Sequence, residues 1–190
     1  MKSGPLSSLF KPWASLNAEE FPSLPQSEQT QFDNLAETWN KRPTHEAPIS
    51  QERKEILDKA LKALRKTYHI FYTSTDISQQ SATLAWLTLV PNEFAELVEE
   101  RMPQALLVLA HYFVLLKRVD YMWWAKGKAE SLLQTIRGVL GDGWDKWLQW
   151  PIDEITGTKM DTDTEWDTTT TCPACHVSSQ PCPHILTKNE

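Results

Sequence analysis

The side chains best suited to chemistry sit near the C-terminal end, in Cys172-Pro-Ala-Cys175-His176 and Cys182-Pro-His184. A C-x-x-C pair offers two thiolates whose geometry suits tetrahedral Zn²⁺, and a further Cys and His complete four ligands. Cys172, Cys175, Cys182 and His184 are therefore the candidate zinc set, with His176 as the alternative imidazole. The gap between Cys175 and Cys182 is much tighter than in ordinary zinc ribbons, and a solvated tail with incidental cysteines is the competing reading. The same letters contain C-x-x-C-H, the haem attachment motif, but no other feature of the chain suggests a compartment for it.

A second candidate is His111, embedded in the most apolar run, Ala105 to Leu116. A polar group in an apolar pocket orients a ligand, here by anchoring a ligand hydroxyl. The alternative is a core histidine hydrogen-bonded to backbone. Tyr112, Trp123, Trp124, Trp144, Trp147 and Trp150 supply aromatic surface to line a pocket for a flat lipid, or equally to fill a core. No catalytic constellation is evident. The chain has no Gly-rich phosphate loop, no H-E-x-x-H and no G-x-S-x-G. Asp153 and Glu154 are adjacent and do not face one another on a helix. The reading is of a non-enzyme.

The elements that position these residues are helical. The chain has 190 residues, 41% of them hydrophobic, and the apolar residues concentrate between about Ile56 and Ile155. Residues 1–27 read as a disordered linker, 28–157 as one helical domain, and 158–190 as an acidic, Thr-rich tail. Around Trp166 that tail alternates acids with Thr, like an activation segment or a solubilising one. Phe32, Leu35 and Trp39 predict a short helix over Gln29 to Asn40. Ser50 looks like an N-cap, and Leu57, Leu61, Leu64, Tyr68 and Phe71 predict one buried face from there to Tyr72. On the other face Glu55 pairs with Lys59 and Asp58 with Lys62, so the basic residues read as a solvated face.

Ala82 to Val90 is apolar and short, and strand and helix remain open. Asn92 is placed to cap the next helix. Pro103 suits the first position of another, which runs to about Val119 with scarcely a polar face and should be central. Tyr121 to Leu140 predicts a further helix whose stripe holds Trp124, Ala125, Lys128, Leu132, Ile136 and Leu140, widened by Leu133 and Val139. Gly141 and Gly143 end it. Trp144, Trp147 and Trp150 then follow at spacing three, and Pro151 stops that turn or starts the next. The fold expected is all-α, a single irregular bundle around a central apolar helix, with disordered termini.

Net charge of -6 argues against a stand-alone nucleic-acid binder. No secretory signal is visible in MKSGPLSSLFKPW, and Ala105 to Leu116 is too short to span a bilayer. An odd cysteine count gives no disulfide framework and points to a reducing compartment.

The block from Arg101 to Pro151 resembles the C-terminal regulatory part of fungal zinc-cluster transcription factors, nearest to the sterol-uptake regulators. The shared pattern is a Pro-started helix with Pro103, Ala105, Leu106, Leu109, Ala110, His111 and Tyr112, then the Trp123-Trp124 pair, then Trp144, Trp147, Trp150 and Pro151. The resemblance covers roughly residues 50 to 156. It implies an all-α domain that regulates transcription, shared between nucleus and cytoplasm, with a sterol or other apolar small molecule held in a pocket. His111, Tyr112, Leu115, Trp123, Trp124 and Trp147 are the expected ligand-binding set, with no cofactor in the core. The family's six-cysteine DNA-binding cluster is absent from this sequence. The expected role is therefore a regulatory or ligand-sensing domain without its own DNA-binding module and without direct nucleic-acid contact. The alternative is a helical domain that binds a protein partner or a second copy.

Overall fold

The computed structural model describes residues 24–40 and 49–157. Among these residues are seven α-helices and no strand: α1 Gln26–Asn40, α2 Gln51–Thr73, α3 Gln79–Leu89, α4 Asn92–Glu99, α5 Pro103–Arg118, α6 Lys128–Leu140 and α7 Asp145–Thr156. The all-α expectation holds. No helix among the described residues is long and apolar enough to cross a membrane.

Helix α5 is the axis of the bundle. Twelve of its 16 residues are buried, because its sequence leaves no continuous polar face to turn outward. It packs against α1, α2, α4, α6 and α7, and it reaches α3 through Tyr112, whose ring stacks on Trp86 at 4.4 Å. Pro103 opens the helix, where a missing N–H costs no intrahelical bond. Lys117 and Arg118 close it, where cations meet the negative end of the helix dipole.

Local signals set the flanking helices. Ser50 caps α2 by accepting from Arg53 N–H at 3.4 Å, and Ser78 caps α3 by accepting from Ser81 N–H at 3.3 Å. The Ser78 cap and the burial of Ala82, Thr83 and Trp86 settle the run from Ala82 as helix, which ends at Leu89 with Val90 as its extended cap. Asn92 is not a cap; it is the first helical residue after Pro91, which offers no side-chain bond. Asp58, expected in a surface pair with Lys62, accepts the indole N–H of Trp39 at 2.8 Å and so ties α2 to α1.

Two departures matter for the site. The helix expected from Tyr121 begins only at Lys128. Asp120 Oδ1 accepts the N–H of Gly127 at 2.7 Å, which folds residues 120–127 into successive turns. Gly127 sits at φ 69°, a left-handed conformation that favours glycine. The buried stripe of α6 is accordingly Ala129, Leu133 and Ile136, following Ala125, while Leu132 and Val139 face outward. Second, Pro151 neither stops nor starts a helix. It lies inside α7, where it gives up the bond its N–H would have made to Trp147 O and crowds that carbonyl with its ring.

Arg118 pins α1 and α7 to the end of α5. Its guanidinium lies 3.5 Å from Glu28 and 3.1 Å from Glu154, and 5.2 Å above the Tyr72 ring. Tyr72 donates its O–H to Glu28 at 2.8 Å. Burial raises the Glu28 carboxyl, but the hydrogen bonds from Ser27 and Tyr72 and the charge of Arg118 outweigh it and hold it below the ordinary range.

Candidate functional site

Helices α1 and α7, held in this way, bound a cavity of about 440 Å³. That volume falls within the range of about 300–1,000 Å³ typical of small-molecule sites. Gln31, Asn34, Leu35, Glu37 and Thr38 of α1 form one wall. Trp144, Lys146 and Trp147 form the other, and α5 contributes His111. The indoles of Trp144 and Trp147 stand 5.3 Å apart and inclined at 48°, an aromatic corner open to a flat ring. The Lys146 ammonium lies 5.7 Å from the centre of the Trp147 ring.

His111 is the deepest polar group of the cavity, with 2% of its surface exposed. Its Nδ1 lies 2.8 Å from Leu107 O one turn back on α5. A carbonyl only accepts, so Nδ1 carries the proton. Burial lowers the imidazole to about 4, against the opposing effect of the Leu107 bond, so the ring is neutral at physiological pH. Nε2 is therefore an acceptor. Trp150 stacks on the ring at 5.3 Å, and Phe32 lies beside it at 6.2 Å. Tyr68 donates its O–H to the His111 carbonyl at 2.8 Å, which fixes this turn of α5 against α2.

Of the expected ligand-binding residues, His111 and Trp147 come together on this cavity. The structure places the others elsewhere. Tyr112 points to the α3 side, where burial raises its phenol to about 12. Leu115 is wholly enclosed in the core. Trp124 packs partly buried against that core, and Trp123 is 86% exposed on the Asp120–Gly127 turns. The cavity anticipated along the Pro103 to Val119 helix touches α5 through His111 alone. Sequence reasoning missed the α1 wall, since Gln31, Asn34 and Thr38 form a polar stripe that looks like any solvated face. The candidate metal residues Cys172, Cys175, Cys182 and His184 lie outside the described residues, as do residues 1–23 of the expected linker and the expected tail at 158–190.

No protein-family model matches the chain. No solved structure matches it. A curated protein of Gibberella zeae, described as a Zn(2)-C6 fungal-type transcription factor, is 35% identical over 74 residues. The match takes in 38% of this chain and 15% of the length of that protein. Over that segment the chain is similar to a fungal zinc-cluster transcription factor.

Proposed function

We propose that the chain is the regulatory domain of a transcription regulator, acting with a DNA-binding module that lies elsewhere, and that it senses a small molecule in the α1–α7 cavity. The similarity to a zinc-cluster factor supports the transcriptional part. One observation carries the sensing part: a neutral histidine, almost fully buried, lines a cavity with an aromatic corner. A ligand there touches α1, α5 and α7 at once, so occupancy biases how these helices sit against a partner surface. A sterol or another largely apolar molecule of similar shape is the ligand class proposed, and the site of action is the nucleus, with exchange to the cytoplasm.

Tethering the chain to an unrelated DNA-binding module beside a reporter gene tests this reading. Reporter output should change relative to the module alone, and His111→Phe should alter its response to added sterol. Unchanged output would remove the transcriptional reading. In purified protein, a saturating sterol should raise the melting temperature, since a ligand at a hundred times its Kd adds about 2.7 kcal/mol. No shift would remove the sterol version.

A second reading, a protein-interaction domain without a ligand, is favoured by one feature. Tyr121 is 64% exposed and Trp123 86% exposed on the stapled turns, large aromatic surfaces of the kind enriched at interfaces. Sedimentation of wild type and Trp123→Ser decides whether this surface joins two copies. A monomer in both cases disposes of the homodimer.

A further inference from the structure

The hydrogen-bonding state of His111 constrains what the cavity can hold, and this deepens the sensing reading on which it rests. Leu107 O already takes the one N–H of the ring. Trp150 covers one face of the ring. The one polar atom that the ring has left to offer a ligand is Nε2. That atom can accept and cannot donate.

We propose that the cavity selects neutral ring compounds that carry a hydrogen-bond donor, an alcohol, phenol or ring N–H, to be given to Nε2 of His111, and discriminates against the matching ether or ketone. The aromatic corner of Trp144 and Trp147 receives the ring, while Gln31 and Asn34 at the α1 wall tolerate either kind of polar substituent. Glu37 and Lys146 are exposed and His111 is buried, so the selectivity is assigned to the ring at the enclosed end. An ether or ketone set against Nε2 would place two acceptors together and shut that nitrogen off from water without a partner. A charged amine has a donor too, but its ammonium would have to leave water to reach the almost fully buried ring.

The test uses the whole chain and two probes, 2-naphthol and 2-methoxynaphthalene, titrated by calorimetry. The phenol should bind wild type about tenfold more tightly than the ether, the equivalent of one satisfied hydrogen bond in a site open on one side. In His111→Phe, checked for folding by its melting curve, the gap should shrink to within about twofold. Equal binding of both probes to wild type overturns the donor selectivity and leaves the ligand site standing. A tenfold gap that survives in His111→Phe also overturns it, because another atom would then read the hydroxyl. Binding of neither probe overturns the selectivity and counts against the ligand-site reading as well. The wild-type comparison stands even if the variant fails to fold.

Discussion

The phenol of Tyr68 on α2 donates to the backbone carbonyl of His111 on α5, at 2.8 Å, inside the core. The bond ties the turn of the central helix that carries His111 to α2, the longest helix among the described residues. Burial raises the Tyr68 hydroxyl well above its ordinary value, so it remains a donor at any working pH.

Tyr68→Phe should cost about 1 kcal/mol of stability, the net worth of a neutral buried hydrogen bond. The cost stays modest because a carbonyl in the middle of a helix keeps its intrahelical partner. Urea denaturation gives the number. A loss above about 3 kcal/mol would mean that the hydroxyl holds more than this carbonyl.

His111 should leave a mark on acid stability. Its folded value of about 4 lies below the reference of 6.5, so the unfolded chain binds the extra proton between them. Stability contributed above pH 6.5 is then lost as pH falls toward 4, by up to about 1.4 kcal/mol per pH unit for one proton. His111→Phe should flatten that part of the stability profile. A profile between pH 6.5 and 4 with the same slope in both proteins would show that the ring titrates normally.

Arg118 holds two carboxylates, one of them nearly buried. Arg118→Met should cost about 2–3 kcal/mol, somewhat under the range of about 3–5 for a fully buried pair that loses one partner, because the guanidinium is partly exposed. Adding Glu28→Gln should recover part of the loss, since the stranded charge is then gone. The depressed Glu28 carboxyl supplies stability above its reference value of 4.5, lost as pH falls through the folded value. Glu28→Gln alone should therefore reduce the acid sensitivity below pH 4.5. Strict additivity of Arg118→Met and Glu28→Gln would contradict the coupling.

Arg101 is the one non-glycine residue among those described with a left-handed backbone, at φ 57°. It ends α4, where Met102 N–H reaches Leu97 O and Arg101 N–H reaches Val98 O, both at 2.9 Å. This is the hydrogen-bond pattern that glycine ordinarily serves at a helix end. Arg101→Gly should stabilise the protein by about 0.5–1 kcal/mol, read as a higher urea midpoint at unchanged slope. Destabilisation would show that the arginine side chain contributes more than its backbone strain costs.

Much of this architecture is legible in the sequence. Leu57, Leu61, Leu64, Tyr68 and Phe71 lie buried on one face of α2, as their spacing predicts, and Pro103 opens the apolar helix that becomes the axis. The pattern misleads where a local bond overrides it. Trp124, Ala125 and Lys128 mimic a helical stripe, but the Asp120 carboxylate captures Gly127 and turns the chain instead. On α6 the side facing the core carries the small Ala129, and the larger Leu132 and Val139 remain partly exposed. Hydrophobicity alone ranks these positions in the opposite order.

The site was half legible for a similar reason. His111 and Trp147 stand out by type, one as a polar residue in an apolar run and the other as part of a tryptophan series. The α1 wall does not, since Gln31 and Asn34 differ in no way from surface residues until α7 is set opposite them. The tautomer of His111, on which the ligand chemistry turns, depends on Leu107 O and on the depth of burial, and neither is written in the residue order.

Binding of a small molecule between α1 and α7 at His111 can be blocked by Asn34→Trp, because Asn34 is an exposed residue of α1 that lines the cavity and a large ring there should fill the space without disturbing the core. Calorimetric titration of 2-naphthol should show binding to wild type and none to Asn34→Trp, with melting temperatures that agree closely. Undiminished binding to a well-folded Asn34→Trp would rule out this site, since the ligand would then occupy some other place.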